Sequence, residues 1–366
     1  MRLEKNLPHE IDLEILKRLP VKPLMRFKCI SKLWLCTIDD PDFVAMQLKQ
    51  STLNGTNWYV LLMDWNFSRH PMSSLYPDKS ITVASQSEVE VPFISPMGNY
   101  RVVGSCNGLT CVTYANPEDG NLMIFMWNLF TRKYKAVQSS PLDFVDTHMV
   151  LGFGYSDKIN DYKVIRITYF HDKYRGYLGR LEREVDSLRT DLWRTVEFDI
   201  GCEFSDLSTV SLNGNLNWIL INVDEGHCWC YGSIITFELA YEVFNKMALP
   251  KSYLVGVTYH RAYLAVLNSS LVLLIHHVDP RGQLNDKCYI WIMTEYGVPE
   301  SWTKLHTLDL NEGVSRFHGF TRSSELLMEM YQHELISWNP SVGLTRLLWT
   351  LGAFDLVTVV ESLVTP

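Results

Sequence analysis

The chain has 366 residues, of which 47% are hydrophobic, 12% aromatic and 20% charged. This length allows two domains or one large one, and the composition excludes a wholly disordered or collagen-like chain. A formal net charge of -8 argues against a nucleic acid partner, and no apolar run is long enough to cross a membrane. Because the charged amino terminus has no apolar segment behind it, we expect a protein of the cytoplasm, with the nucleus as a second compartment.

Charge and residue pattern both change near residue 50. Residues 1–50 carry nine Lys or Arg and seven Asp or Glu, a net charge of +2, so the remaining residues carry -10. The first segment is typical of short helices, whereas the sequence after Trp58 is typical of short apolar strands separated by Gly, Asn, Pro and Asp. We therefore predict an α+β multidomain protein with a helical domain at 1–50, a linker at 51–57 and an all-β domain at 58–366.

Three short helices are predicted in the first domain. Pro8 occupies a favourable first-turn position and Pro20 ends the first helix. A second helix begins near Val21, and a third runs from about Ser31 until Pro41 interrupts it. The first helix carries an apolar stripe formed by Ile11, Ile15, Leu16 and Leu19. A domain of about fifty residues buries too little apolar surface to be stable alone. We therefore expect another subunit to cover its remaining apolar face.

This segment resembles an F-box in its Leu-Pro pairs, its Leu-Met-Arg-Phe run and its Lys-x-Trp step, at Leu7-Pro8, Leu19-Pro20, Leu24 to Phe27 and Lys32 to Trp34. F-box proteins are the substrate receptors of cullin-based SCF ubiquitin ligases, and the F-box docks on the Skp adaptor. The resemblance implies an adaptor-facing set of Leu7, Pro8, Ile15, Leu16, Leu19, Pro20, Val21 and Leu24. It also implies that Phe27, Ile30 and Trp34 lie more internally. Asp12 departs from the family, in which an apolar residue is common there.

A strand unit repeats through the second domain. Each copy pairs an apolar strand with a second strand that carries an aromatic or branched residue beside Lys or Arg, within 123–134, 185–194, 234–246, 289–304 and 335–346. The copies recur about every 50 to 60 residues, near the period of a kelch-type propeller blade. Asn107-Gly108 and Asn213-Gly214 predict type I′ hairpin turns. We predict about six blades, with Leu356 to Leu363 as a last strand that pairs with the start of the domain.

The same domain resembles the F-box-associated domain of plant F-box proteins, through Gly104 to Leu109, Trp127-Asn128, Leu151 to Tyr155 and Ser301 to Leu305. Leu129 and Asp186 depart from the family pattern. The resemblance is greatest to the S-locus F-box group, whose members recognise basic pistil ribonucleases in self-incompatibility. It implies a substrate-recognition subunit that binds the Skp adaptor, and through it the cullin, and presents a client protein for ubiquitination and proteasomal degradation.

Client recognition is predicted in the segments that break the blade pattern, namely 66–87, 170–189 and 224–232. The candidate client-binding residues are Tyr174, Arg175, Tyr177, Arg180, His227 and Trp229. The net charge of -10 over the second domain favours a basic client through electrostatic steering.

Two other functions remain open, a kelch-type copper oxidase and a scaffold without ligase activity. A copper site would need Tyr, Cys and His, and the chain has 18, 8 and 11 of them. However, His276 and His277 are adjacent on a strand and point to opposite faces. Gly152-Phe153-Gly154 lacks the third glycine and the following helix of a nucleotide loop, and no nucleophile elbow is present. We therefore predict no catalytic residue, no metal site and no cofactor.

Overall fold

The computed structural model contains four helices followed by twenty-five strands in the part of the chain that it describes. The helices are α1 (His9–Leu16), α2 (Val21–Phe27), α3 (Lys32–Asp39) and α4 (Pro41–Leu53). The described residues are 8–64, 72–93, 99–115, 122–137, 147–171, 178–197, 203–204, 209–223, 229–250, 260–277, 286–310, 313–332, 334–349 and 353–366.

The fourth helix corrects the prediction of three. As predicted, the third helix ends before Pro41, but Pro41 also occupies the first turn of a new helix, α4, where its missing N–H costs no hydrogen bond. The carboxylate of Asp40 caps this helix by accepting hydrogen bonds from the N–H groups of Asp42 and Phe43, at 2.9 and 3.3 Å. The helix continues to Leu53, so residues 51–53, which the sequence analysis placed in the linker, are helical.

The strands form the six-bladed β-propeller that the repeats predicted. Blade 1 contains β1 (Trp58–Asp64), β2 (Met72–Pro77) and β3 (Ser87–Glu90). Blade 2 contains β4 (Asn99–Cys106), β5 (Leu109–Ala115), β6 (Leu122–Asn128) and β7 (Lys133–Val137), and blade 3 contains β8 (Thr147–Ser156), β9 (Asp161–His171), β10 (Leu178–Ser187) and β11 (Leu192–Thr195). Blade 4 contains β12 (Glu203–Phe204), β13 (Val210–Leu212), β14 (Asn215–Val223), β15 (Trp229–Glu238) and β16 (Val243–Ala248).

Blade 5 contains β17 (His260–Leu267), β18 (Ser270–His277), β19 (Asp286–Met293) and β20 (Trp302–Leu310), and blade 6 contains β21 (Val314–Phe320), β22 (Leu326–Met330), β23 (Glu334–Asn339) and β24 (Gly343–Trp349). The last strand, β25 (Phe354–Val360), returns to blade 1 and pairs antiparallel with β1, from Trp58 opposite Val360 to Asp64 opposite Phe354. The predicted closure by the tail is thereby confirmed. β25 thus supplies the innermost strand of blade 1 and closes the ring.

All five predicted repeat copies coincide with the third and fourth strands of a blade, in blades 2 to 6. In every copy, the residue four positions after the end of the third strand has a positive φ, between 57° and 90°. These residues are Arg132, Asp191, Glu242, Gly297 and Gly343. Left-handed backbone disfavours most side chains, yet three copies carry a charged residue there. A search for glycine alone therefore misses this turn.

The ring has two different faces. In blade 2, the turns at 107–108 and 129–132 lie at the same end of the strands, and we call this end of the ring the turn face. Turns of neighbouring blades meet there, since the N–H of Arg322, between β21 and β22 of blade 6, donates to Asp78, between β2 and β3 of blade 1, at 2.9 Å. The first and third strands of each blade begin at the opposite end of the ring, which we call the loop face.

Glycines allow close packing between blades 3 and 4. A Cβ atom on Gly152 would lie 2.5 Å from a ring carbon of Trp218, and one on Gly154 would lie 2.7 Å from the hydroxyl of Ser211. The Gly-Phe-Gly segment lies within β8, and the following strand is β9, as predicted. These glycines are therefore part of the packing between blades.

The helices pack on the turn face through the carboxyl-terminal tail. Leu363 and Phe130 join the buried cluster of the helical domain, which contains Leu16, Val21, Leu24, Ile38 and Phe43. The N–H of Leu363 donates to the Gln47 side chain at 3.3 Å, and the Nδ2 of Asn128 donates to the Val364 carbonyl at 2.7 Å. Part of the apolar surface that was expected to need another subunit is thus covered by the chain's own tail.

Candidate adaptor and client interfaces

The residues of the apolar stripe predicted on the first helix lie partly in the domain core and partly on the surface. Leu16 is buried and Leu13 and Leu19 pack against the same cluster, whereas Ile11 and Ile15 are 44% and 49% exposed. Ile11 and Ile15 are four residues apart, so they share one helix face. Exposed Pro8 immediately precedes this helix. The accessible apolar surface of α1 therefore consists of Pro8, Ile11 and Ile15, and the adaptor-facing set predicted from the family resemblance lacked Ile11.

Three residues of the predicted adaptor-facing set are inaccessible in this structure. Leu16 is 3% exposed, and Val21 and Leu24 are fully buried. In this structure these three side chains are core residues of the helical domain, in one cluster with Phe43 of α4 and Leu363 of the tail, and their assignment to the adaptor surface stays a prediction. Leu19 is half-buried and Pro20 is exposed, while Leu7 lies outside the described residues.

A buried carboxylate fixes the start of α2. Glu361 Oε1 accepts a hydrogen bond from the N–H of Val21 at 2.7 Å, and the N–H of Glu361 donates to the Asn57 carbonyl at 2.9 Å. Burial raises the pKa of Glu361, and the hydrogen bond from Val21 opposes that rise. This contact joins residues 340 positions apart, so no local sequence pattern indicates that Val21 lies beneath the tail.

The region between α2 and α3 corrects a second expectation. Phe27 and Trp34 are partly buried and form an edge-to-face pair with centroids 5.3 Å apart, in keeping with an internal role. Ile30, which was expected to be more internal, is 68% exposed, as is Leu33. Ile30 lies in the turn between the two helices, outside the apolar face of either one.

The helical domain is rich in exposed apolar side chains. Seven of the seventeen large exposed hydrophobic residues among the described residues lie within the 46 positions from 8 to 53: Ile11, Ile15, Ile30, Leu33, Leu35, Met46 and Leu53. Grouped apolar exposure of this kind is typical of protein–protein interaction sites. The remaining apolar surface of the domain, after docking on the propeller, therefore fits a partner subunit.

The predicted client-binding residues lie around the loop face as far as they are described. Tyr174, Arg175, Tyr177 and His227 fall outside the described residues. Arg180 and Trp229 lie near the starts of β10 and β15, where their backbones pair with Phe170 and Val223. Because both strands begin at the loop face, the topology brings these two positions to the same end of neighbouring blades.

Much of the sequence that was predicted to break the blade pattern forms regular strands instead. Residues 178–187 form β10, which pairs with β9 and β11, and residues 72–77 form β2. The charged residues of β10 concealed its strand character, because Glu184 pairs with the buried Arg166 inside the blade. The parts of these segments that break the blade pattern are therefore shorter than predicted.

The ionisable strand residues of blade 5 include a buried pair. His276 is fully buried with Nε2 3.0 Å from Asp286 Oδ2, and burial lowers the pKa of His276 while Asp286 opposes this change. His277 is only half-buried, on the other side of the strand, as predicted. Among the described residues, no group of three His, Cys, Asp or Glu side chains could hold a metal ion, and no helix is long and apolar enough to cross a membrane.

Comparisons with known proteins agree with this architecture. The F-box domain family matches residues 5–45, and the F-box associated beta propeller domain family matches residues 56–339. The F-box/kelch-repeat protein At3g23880 of Arabidopsis thaliana is 28% identical over 324 residues, which span 82% of this chain and 79% of that protein. The F-box protein CPR1 of the same plant is 27% identical over 332 residues, or 85% and 75% of the two chains.

Among solved structures, that of YjhT matches with a TM-score of 0.44 and 11% identity, and it covers 80% of this chain and 94% of its own. The propeller family match alone covers more than half of the chain, and the F-box match covers the helices that precede it. An F-box implies binding to a Skp adaptor, and F-box proteins of this type are generally non-catalytic substrate-recognition subunits. The chain therefore belongs to the plant F-box proteins that carry an F-box associated β-propeller domain.

Proposed function

We propose that this protein is the substrate receptor of an SCF ubiquitin ligase and that it binds the Skp adaptor through Pro8, Ile11, Ile15, Leu19 and Pro20. The observation that carries the proposal is the exposed stripe on α1, which remains open although the opposite side of the same helix is buried on the domain core. A few apolar anchors supply most of the binding energy in such interfaces. Leu7, which precedes this stripe in the sequence, belongs to the proposed surface.

The client is proposed to bind at the loop face, through Tyr174, Arg175, Tyr177, Arg180, His227 and Trp229. The helices occupy the turn face, so the loop face is turned away from the proposed adaptor site. This separation suits a receptor that holds a client near the ubiquitin-conjugating enzyme, because the contribution of the receptor is proximity. Ubiquitination and proteasomal degradation of the client would follow, in the cytoplasm or the nucleus.

A basic client is proposed on electrostatic grounds. Residues 51–366 carry a net charge of -10, and opposite net charges accelerate association. A basic ribonuclease of the kind recognised by S-locus F-box proteins fits this charge. The proposal of a role in self-incompatibility rests on that resemblance together with the charge.

The adaptor site is tested by placing charge on the exposed stripe. We expect the double variant Ile11→Asp, Ile15→Asp to lose at least tenfold in affinity for a purified Skp adaptor, because truncating one apolar anchor typically costs about 1 to 4 kcal/mol. Both side chains are about half exposed, so the melting temperature should remain close to that of the wild type. The matched control is Leu192→Asp, Tyr241→Asp, which places charge on apolar residues of the propeller that are 67% and 69% exposed.

Affinity purification from plant extract reports the whole assembly. Adaptor and cullin should accompany the wild type and the control, and both should be lost from the α1 variant. Retention of the adaptor by a folded α1 variant would refute the proposed surface. Recovery of the adaptor without the cullin from the wild type would refute the ligase and favour the scaffold.

The proposed client site is tested separately, by measuring ribonuclease binding. Binding of a basic pistil ribonuclease should persist in the α1 variant and weaken on Tyr174→Ala, Tyr177→Ala, since the two proposed surfaces lie on different domains. Equal binding by the tyrosine variant and the wild type would refute this client site. Absence of ribonuclease binding by the wild type would refute the ribonuclease as client.

A further inference from the structure

A channel of about 510 Å³ lies at the centre of the propeller. Its walls come mainly from the innermost strands of all six blades, β4, β8, β13, β17, β21 and β25, with a small part from β5 and β6. This volume falls within the range of about 300 to 1,000 Å³ that is usual for pockets that bind small molecules. The channel is therefore large enough to hold a ligand group.

The charge of the channel differs from that of the rest of the protein. Among the described residues that line it, none is Asp or Glu, and the ionisable ones are Arg101, Arg316 and His318. Burial lowers the pKa of His318, which favours its neutral form, so the two arginines supply the charge. The channel thus presents positive charge inside a chain whose net charge is -8.

One buried carboxylate holds both arginines in place. Asp355 Oδ2 accepts hydrogen bonds from Arg101 Nε at 3.1 Å and from the N–H of Val102 at 2.8 Å, and its Oδ1 accepts one from Arg316 Nη1 at 2.7 Å. The side chain of Asp355 is only 4% exposed, whereas those of Arg101 and Arg316 are 47% and 23% exposed. Asp355 therefore holds two guanidinium groups from behind the channel wall.

The two arginines lie toward the loop face. Asp355 is near the start of β25, opposite Met63 of β1, whereas the other end of β25 contacts the region of the helices. Arg101 is likewise near the start of β4, and Arg316 near the start of β21. A ligand group that enters from the loop face reaches the arginines without passing the helical domain.

We propose that the central channel binds a carboxylate or phosphate group through Arg101 and Arg316. The planar guanidinium forms strong paired hydrogen bonds with both groups, and orientation by Asp355 lowers the entropic cost of binding. Two sources supply such a group, namely a free small anion and an acidic side chain that the client inserts from the loop face. The second source rests on the proposed function, and the first does not.

Calorimetric titration of the full-length protein tests the proposal. The two probes are inorganic phosphate and an uncharged-ended peptide that contains two glutamates. The variants Arg101→Gln and Arg316→Gln should each bind at least one probe tenfold or more weakly than the wild type. Arg261→Gln is the matched control, because Arg261 is an exposed arginine of the innermost strand β17 that does not line the channel.

Each single variant leaves Asp355 with Val102 and one arginine, so we expect the fold to persist, with the melting temperature as the check. If either glutamine variant is unstable, Arg101→Lys provides the measurement, since it retains the charge but loses the paired geometry and should bind phosphate more weakly. Binding of phosphate alone identifies a free anion as the source, and tighter binding of the peptide identifies an acidic side chain.

The proposal is overturned if the wild type binds neither probe at millimolar concentration, or if folded arginine variants bind as well as the control. Adaptor recovery in the same preparations tests the proposed function separately. Loss of probe binding in the arginine variants with normal adaptor recovery would support the channel site and leave the ligase assignment unaffected. Normal probe binding by wild type that recovers no adaptor would refute the ligase assignment and not the channel site.

Discussion

Asp186 provides a sharp test of the packing in blade 3. The residue is 1% exposed, and its Oδ2 has no hydrogen-bond partner among the described residues. Burial and the nearby charges of Asp191 and Asp161 raise its pKa from 3.8 to about 6, while Lys135 opposes the rise. The folded protein therefore holds an ionised carboxylate in an unfavourable place at neutral pH.

The substitution Asp186→Asn removes this cost and leaves the shape unchanged. A difference of one pKa unit corresponds to about 1.4 kcal/mol, so the shift amounts to roughly 1 to 3 kcal/mol at pH 7.5. Because the folded-state pKa is raised, the cost is fully present above about 6 and disappears as the pH falls through 6 toward 3.8. The variant should therefore exceed the wild type in stability at pH 7.5, by an amount that shrinks steadily toward pH 4.

Urea unfolding followed by tryptophan fluorescence measures this difference between pH 4 and 8. Asp309→Asn is the control, since Asp309 is 74% exposed and pairs with an exposed lysine, and its substitution should change the free energy of unfolding by less than about 0.5 kcal/mol. A pH-independent gain in the free energy of unfolding for Asp186→Asn, or no gain at pH 7.5, would show that the ionised Asp186 carboxylate does not destabilise the folded protein.

Two further substitutions test the interfaces between structural units. Leu363→Ala should lower the free energy of unfolding by about 2 to 5 kcal/mol and accelerate proteolysis near α4, because Leu363 is 2% exposed and belongs to the core of the helical domain; unchanged proteolysis would mean that the tail does not hold the helices. Gly152→Ala should destabilise the propeller by about 1 to 3 kcal/mol, since its Cβ would lie 2.5 Å from Trp218. Gly104→Ala should have little effect, since its Cβ would have no atom of the described residues within 4 Å. Equal melting temperatures for the two alanine variants would contradict this account of blade packing.

Local sequence patterns predicted the propeller well because the blades repeat the same short strand–turn–strand pattern. An apolar strand, a tight turn and a partner strand recur in blades 2 to 6, and Asn107-Gly108 and Asn213-Gly214 form the predicted left-handed turns. The strand character of β10 was missed because its charged residues look like a solvated loop. Their burial depends on ion pairs across strands, such as Arg166 with Glu184, which the pattern of one strand does not reveal.

Local sequence patterns do not predict which apolar residues of the F-box are exposed. Spacing and chemistry make Ile15, Leu16 and Val21 similar candidates for an interface, yet only Ile15 remains exposed. The difference arises because Leu363 and Glu361, more than 300 residues away, cover the other two. The sequence by itself determined the first three helices, the repeated strand pairs of blades 2 to 6, the two Asn-Gly turns and the closing role of the tail. Only the tertiary structure decided which apolar side chains are covered and that two distant arginines share one aspartate, because these contacts join segments whose separation along the chain has no periodic signature.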